Sequence, residues 1–472
     1  MLHDLIIKNG IVFTNNIFSK LNIGILNNRV VSIYDHNNYT AKNYIDAKDC
    51  YVLPGFIDVH FHVRSPSYPE RGTVESETMA AAAGGITSIF EMPISNPCCS
   101  TIKIFNDRKK HFKGKSYVNY GLYAAPGTKY EKKGSNYDKV LEEDKDKINS
   151  FKEAGAIGFK IFMINPPRGR EKEFNGLSIV DEGHLFYTLK LIKNTNLVTT
   201  IHAENDSLLK YFSNSLSEND KKNPLVHNKL RPSILESYAT NSILYLNQYI
   251  NTKIHIAHLS SEDSLKTIIN YKKLGVDVTV ETCPHYLFYN KNVLKKYGNF
   301  AKINPPIRMN SDKTALWNGI YNNDIDILAS DHAGFCYDEK VNAVEIEKAP
   351  PGHPGVNSMI YTLMDKIDNK KFTLENLIEL CSINPAKRFG IFPNKGSINL
   401  NNNADITIIN LNKTHKYSLQ NQFSKAKKSD VLYTNKKYKG KIEYTIVNGD
   451  IIYNGKIINV NNKPGKFLSP ND

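Results

Sequence analysis

Thr73-Val-Glu-Ser-Glu-Thr-Met-Ala-Ala-Ala-Ala-Gly-Gly-Ile-Thr-Ser-Ile-Phe-Glu-Met92 is the stretch that decides the fold. Its first half is a run of strong helix formers, with Thr73 placed to cap the first turn and two glycines to stop the helix. Its second half, Ile86–Met92, carries the β-branched and aromatic residues of a strand. The same alternation recurs downstream, in strand-like runs over Ala156–Phe162, Leu197–His202, Lys253–His258, Val276–Glu281 and Ile325–Asp331 with helical stretches between them. Repeated βα units over residues 55–392 predict a (β/α)8 barrel of the TIM type, with a doubly wound sheet as the weaker alternative. No G-x-G-x-x-G or Walker loop favours a nucleotide-binding fold.

Both ends of the chain differ from this middle. Residues 1–54 alternate apolar and polar residues around Asn9-Gly10 and Asn27-Asn28, which read as hairpin turns. The pattern returns in Ala404–Asn410 and Tyr444–Tyr453. Neither end alone holds many strands, so residues 1–54 and 393–472 are expected to pair into one small β-sandwich domain.

The 472 residues are 40% hydrophobic and 23% charged, a globular composition that excludes whole-chain disorder, collagen repeats and coiled coil. Charge breaks the N-terminal apolar run too early for a signal peptide, and no stretch reaches the roughly 20 apolar residues of a membrane span. A cytoplasmic protein without a membrane partner is expected. Six cysteines form no CxxC knuckle and read as reduced thiols. Lys plus Arg, 61 against 47 Asp plus Glu, gives a formal +14 that invites a nucleic-acid reading. The basic residues are dispersed, however, and the short clusters at 107–115 and 435–441 match no nucleic-acid motif. Solvated helix faces and loops account for them, and no nucleic-acid partner is expected.

Polar residues collect at the C-terminal ends of the expected strands, where barrel enzymes keep their active sites. In Pro54-Gly-Phe-Ile-Asp-Val-His60-Phe-His62 the two histidines lie two apart on an extended segment, project to one side and can share a metal. Lys160 sits in the apolar run Gly158–Phe162, where a lysine ordinarily snorkels or pairs with a carboxylate. His202 and His258 each close a strand and, alone, read equally as core histidines; Asp331 could simply cap a helix. The combination in one barrel is what points to chemistry. Four neutral imidazoles and a carboxylate suit two divalent cations only if an anion bridges them, and a protonated lysine cannot ligate metal.

These residues, with Ala81–Thr87, Glu91-Met-Pro93, Ile201–Asn205, His258–Ser261, Glu281–Tyr286, Asn304-Pro-Pro306 and Ser330-Asp-His332, resemble the cyclic amidohydrolases over nearly the whole chain. That branch of the amidohydrolase superfamily holds dihydroorotases, allantoinases, hydantoinases and dihydropyrimidinases. The resemblance implies that CO2 carbamylates Lys160 to N6-carboxylysine, the missing anionic bridge. It implies that His60, His62 and Asp331 hold one metal and His202 and His258 the other, with Lys160 and a hydroxide spanning both. The metals are expected to be zinc, although the ligand set also admits manganese, iron or cobalt. Asp331 is expected to act as general base and then general acid in hydrolysis of a cyclic amide. A homodimer or homotetramer acting on a small molecule is implied as well.

Substrate signals divide. Glu91-Met-Pro93, Thr282–Tyr286, Lys302–Arg308 and the C-terminal lobe look most like allantoinases, so allantoin to allantoate leads. Arg64, in His62-Val-Arg64, is similar to the H-x-R with which dihydroorotases grip a substrate carboxylate, though it could equally anchor its loop. Ile94-Ser95 departs from the M-P-N-T of dihydroorotases, and residues 164–174 lack the tyrosine of dihydropyrimidinases. Asn304 is a second candidate substrate contact, residues 165–174 a candidate lid, and Lys348–Gly355 a stretch of turn chemistry. The competing readings are a scaffold that has lost its metal and a basic nucleic-acid binder.

Overall fold

The computed structural model describes residues 2–36, 39–130, 137–368, 370–457 and 460–470. Five strands open the chain: β1 (Leu2–Thr14), β2 (Ile17–Leu26), β3 (Arg29–Tyr34), β4 (Thr40–Asp46) and β5 (Tyr51–Pro54). The middle carries β6 (Phe56–His62), β7 (Ile86–Glu91), β8 (Asn119–Ala124), β9 (Gly158–Phe162), β10 (Val198–His202), β11 (Ile254–Ile256), β12 (Val278–Thr282), β13 (Ile327–Leu328) and β14 (His332–Ala333). Three strands close it: β15 (Ile406–Tyr417), β16 (Lys436–Val447) and β17 (Asp450–Tyr453).

The nine middle strands form one parallel sheet in the order β13-β12-β11-β10-β9-β8-β7-β6-β14. Its two ends are one chain segment. Ile327 and Leu328 pair with Glu281 and Thr282 of β12, and His332 and Ala333 pair with Phe61 and His62 of β6. Residues 327–333 therefore act as an interrupted eighth stave that closes the barrel, as the repeated βα units predict. The interruption corrects the expected continuous strand over 325–331, because Asp331 has φ +46 and cannot continue a ladder. The helix read from Thr73 runs Val74–Ala83, with the Thr73 side chain accepting from the Ser76 amide and Gly84 at its end. Apolar residues of β6, β7, β8, β10 and β13 pack with Phe389, Ile391 and Leu468 into a filled interior.

The end strands form a second, mixed sheet of eight strands in the order β17-β16-β15-β5-β1-β2-β3, with β4 also on β1. β1 forks: Leu2–Lys8 pair with β4, and Ile11 and Val12 pair with β5. Leu5, Ile7, Ile23 and Ile45 from the first end thereby bury against Ile406, Ile408 and Ile446 from the other. The Asn9-Gly10 signal marks a register shift within β1, not the expected turn; the hairpin turns at Asn15-Asn16 and Asn27-Asn28, all four asparagines having positive φ. Asn119 of β8 donates to the Asp405 carboxylate at 3.1 Å and joins the two sheets. No helix among the described residues is long and apolar enough to cross a membrane.

Candidate active site

β6 is buried throughout, and its two histidines reach one carboxylate: the His60 and His62 Nε2 atoms lie 3.4 and 3.8 Å from Asp331 Oδ1. Potential ligand atoms of these three residues all lie within 4.8 Å of one another, a group that could hold a metal ion. His202, at the end of β10, and His258, just beyond β11, meet beside them, with His202 Nδ1 2.9 Å from His258 Nε2. The His258 and His60 rings are 5.1 Å apart, so the two groups are neighbours. Lys160 of β9 is wholly buried, and its Nζ has no hydrogen-bond partner. The six predicted ligand residues are thus at the C-terminal mouth of one barrel.

The site is built to keep its imidazoles neutral. Burial pushes His60 down to about 4, and it pushes His62 and His258 well below the ordinary histidine range. A neutral ring is the form that ligates metal. Burial also lowers Lys160 to about 8, against the pull of Glu281 and Asp331, and raises Asp331 to about 8, against Lys160. Orphaned Lys160 Nζ, His62 Nδ1 and His258 Nδ1 lack any protein partner, although burying such groups unpaired is costly. This donor set fits a pair of divalent cations bridged by an anion on Lys160.

Supporting residues fix the orientation. Glu281 of β12, fully buried, accepts from the His60 ring, from the His258 backbone amide at 3.0 Å and from the His255 ring at 3.1 Å. Burial opposes its ionisation, but His60 and His255 hold its carboxyl well below the usual range. Glu204 does the same for His202, at 2.7 Å from Nε2, and is itself paired with Arg231. Buried Asp58 accepts from the Ser330 amide at 3.0 Å, beside Asp331. Arg64, His258 and Asp331 all have positive φ, strain of the order of 1–3 kcal/mol each that an active site characteristically stores. Glu281 sits in the Glu281–Tyr286 motif with no role legible from sequence, because only closure of the barrel through β13 and β14 brings β12 within one stave of β6.

A cavity of about 330 Å³ opens above these residues. Arg64 lines it, 6% exposed, with its guanidinium 4.6 Å from the Phe335 ring and its Nε without a partner. Burial, then Arg170 and Arg71, lower it to about 10. Asn304 also lines the cavity, with Oδ1 unpartnered. The candidate lid supplies Asn165, Arg170 and Phe174 to the wall; the loop read as turn chemistry supplies Pro351 and Gly352. Arg231, which follows the short helix over residues 226–230, also lines the cavity and carries no signal in the sequence. By contrast Glu91, Lys302 and Arg308, in motifs that look like allantoinases, bond to Arg108, the Glu347 carbonyl and Glu236, and none lines this cavity.

Comparison with known proteins agrees with this geometry. Residues 51–452 match the amidohydrolase family. A dihydroorotase of Methanosphaera stadtmanae is 31% identical over 414 residues, 86% of each chain. An allantoinase of Bacillus licheniformis is 29% identical over 99% of this chain and 100% of its own. An L-hydantoinase from Arthrobacter aurescens superposes with a TM-score of 0.90 at 26% identity, covering 99% of this chain and 100% of that one. The names divide among three activities, so the likeness to allantoinases is one of several. The family is not in doubt: this chain belongs to the amidohydrolases.

Proposed function

We propose that this protein is a binuclear metal hydrolase that opens a cyclic ureide or imide, with allantoin to allantoate the first reading. The observation that carries the reaction class is the meeting of His60, His62, His202, His258 and Asp331 on the wall of one cavity, with the buried, unpartnered Lys160 ammonium close enough to act on the Asp331 charge. Lys160, lowered by burial to about 8, has more free amine at neutral pH than an ordinary lysine; that amine would add CO2 and lose a proton, becoming an anion with two oxygens. Two divalent cations, zinc first, would be held by His60, His62 and Asp331 and by His202 and His258, and would supply an acidified water and polarisation of the ring carbonyl.

The chain's own residues do the rest. Glu281 and Glu204 lock the His60 and His202 rings through one nitrogen each. Asp331 takes the proton of the attacking water on its carboxylate and returns it to the departing ring nitrogen as the C–N bond breaks and the new C–O bond forms. Arg64 and Asn304 orient the ring from the wall. The soluble assembly would be a homodimer or homotetramer, acting on a small molecule.

A second reading, dihydroorotate, rests on Arg64. A buried guanidinium with no ion pair among the described residues, facing the reaction cavity, is the group that holds a substrate carboxylate. Zinc-loaded protein assayed with allantoin and dihydroorotate, and with hydantoin and dihydrouracil as controls, separates the two. Turnover of allantoin alone supports the first reading; dihydroorotate turnover supports the second.

A further inference from the structure

A second chamber, of about 570 Å³, opens off the reaction cavity and shares Arg170, Arg231, Asn304 and Phe335 with it. Its wall is strongly basic. Arg71, Arg168, Arg170, Arg231, Lys302 and Lys348 line it, against two carboxylates, Glu173 and Glu347. Four of the cations are paired: Arg71 with Glu339, Arg170 with Glu173, Arg231 with Glu204 and Lys348 with Glu345.

Lys302 and Arg168 have no ion pair among the described residues. Lys302 is only 5% exposed, and its ammonium donates to the Glu347 backbone carbonyl at 2.7 Å. Burial, despite Glu347 and aided by Arg231, lowers it to about 8. An incompletely neutralised ammonium in that position is costly to the fold and is relieved by an anion. Phe335 forms part of both walls with the Arg64 guanidinium against it, so a group leaving the ring past Phe335 enters the basic chamber.

We propose that, beyond the two rings named above, this protein opens cyclic amides bearing an exocyclic arm that ends in a carboxylate, and that Lys302 and Arg168 receive that carboxylate in the outer chamber. The inference rests on the cyclic-amide reading and deepens it from ring to substituent. It is separate from the Arg64 contact, which would serve an acid attached directly to the ring.

The test uses the zinc-loaded full chain with three rings: hydantoin, 5-(2-carboxyethyl)hydantoin and the neutral amide of that acid. The acid is expected to exceed the amide in kcat/KM by about tenfold or more, the size of a charge-assisted contact. The ratio should fall towards one in Lys302→Met and Arg168→Gln and persist in Lys302→Arg. The KM of the acid alone should rise with ionic strength. Arg168 is exposed, so its variant reads the effect even if the Lys302→Met chain folds poorly. A ratio near one in the unmodified protein, with hydantoin and the amide opened, overturns this inference and leaves the reaction class standing. A preference for the acid that survives in Arg168→Gln and in folded Lys302→Met also overturns it. Failure to open any of the three rings, in protein that opens allantoin or dihydroorotate, overturns this inference alone; failure on all five rings overturns both.

Discussion

Glu281 offers the sharpest perturbation of the site that leaves every proposed ligand in place. Its Oε1 accepts from the His60 ring and from the His258 amide, and its Oε2 from His255 Nε2 at 3.1 Å. Glu281→Ala strands two buried donors on the two metal-facing histidines, at about 1–3 kcal/mol each, or about 2–6 kcal/mol together. Glu281→Gln is milder. Its amide oxygen still serves His60 and His258, while its NH2 faces His255, whose other nitrogen lies 2.9 Å from Thr279 Oγ1 and can take the proton instead. The glutamine variant should therefore melt near the parent and lose mainly the negative charge that makes His60 a strong ligand. Zinc affinity, measured by competition with a chromophoric chelator, should fall about 10-fold in Glu281→Gln and about 100-fold in Glu281→Ala, the range seen when such outer partners are removed. Both variants holding zinc within twofold of the parent would refute the claim that Glu281 orients the site.

Four further outcomes follow from the same geometry. Lys160→Ala should abolish activity, and short carboxylic acids should restore part of it by replacing the carbamate; activity unchanged from the parent would remove Lys160 from the mechanism. Asp331→Asn should fold normally by circular dichroism and lower kcat by about 100-fold or more, the lower range of general acid–base catalysis; near-normal kcat would remove its proton role. Arg64→Lys should raise KM for dihydroorotate by about tenfold, because the bidentate grip is lost, and leave KM for allantoin within twofold; the reverse pattern would exclude the carboxylate clamp. Burial opposes ionisation of Glu204, but Arg231 and His202 prevail and hold it at about 2 instead of 4.5. Its contribution to stability is complete above pH 4.5 and is lost as pH falls towards 2, at most about 3 kcal/mol. Urea midpoints should show a shallower acid loss in Glu204→Gln, and parallel acid limbs would contradict this.

The barrel was legible because its strands are short apolar runs, and the proposed ligands lie in or just past those runs: His60 and His62 in β6, Lys160 within β9, His202 at the end of β10, His258 just past β11 and Asp331 between β13 and β14. Those are local signals. The break at Asp331 was not legible, since Ile325–Asp331 reads as a plain strand and only closure against both β12 and β6 forces the backbone to turn at φ +46. Asn9-Gly10 misled for the opposite reason: a sequence that suits a turn suits a bulge equally, and pairing of β1 with both β4 and β5 selects the bulge. Arg231 and Glu281 reach the site from a distant loop and strand, which no spacing along the chain reveals. The substrate signals divide: Arg64 and Asn304 face the cavity, whereas Glu91 and Arg308 bond to Arg108 and Glu236 and do not line it.

The central claim is a two-metal centre whose bridge is Lys160. Its most direct test is the metal content of protein prepared with zinc and bicarbonate, determined by elemental analysis beside the Lys160→Ala variant. The account predicts two zinc ions per chain in the parent and fewer in the variant. A parent without stoichiometric metal, or a variant that keeps both ions without an added acid, would contradict it.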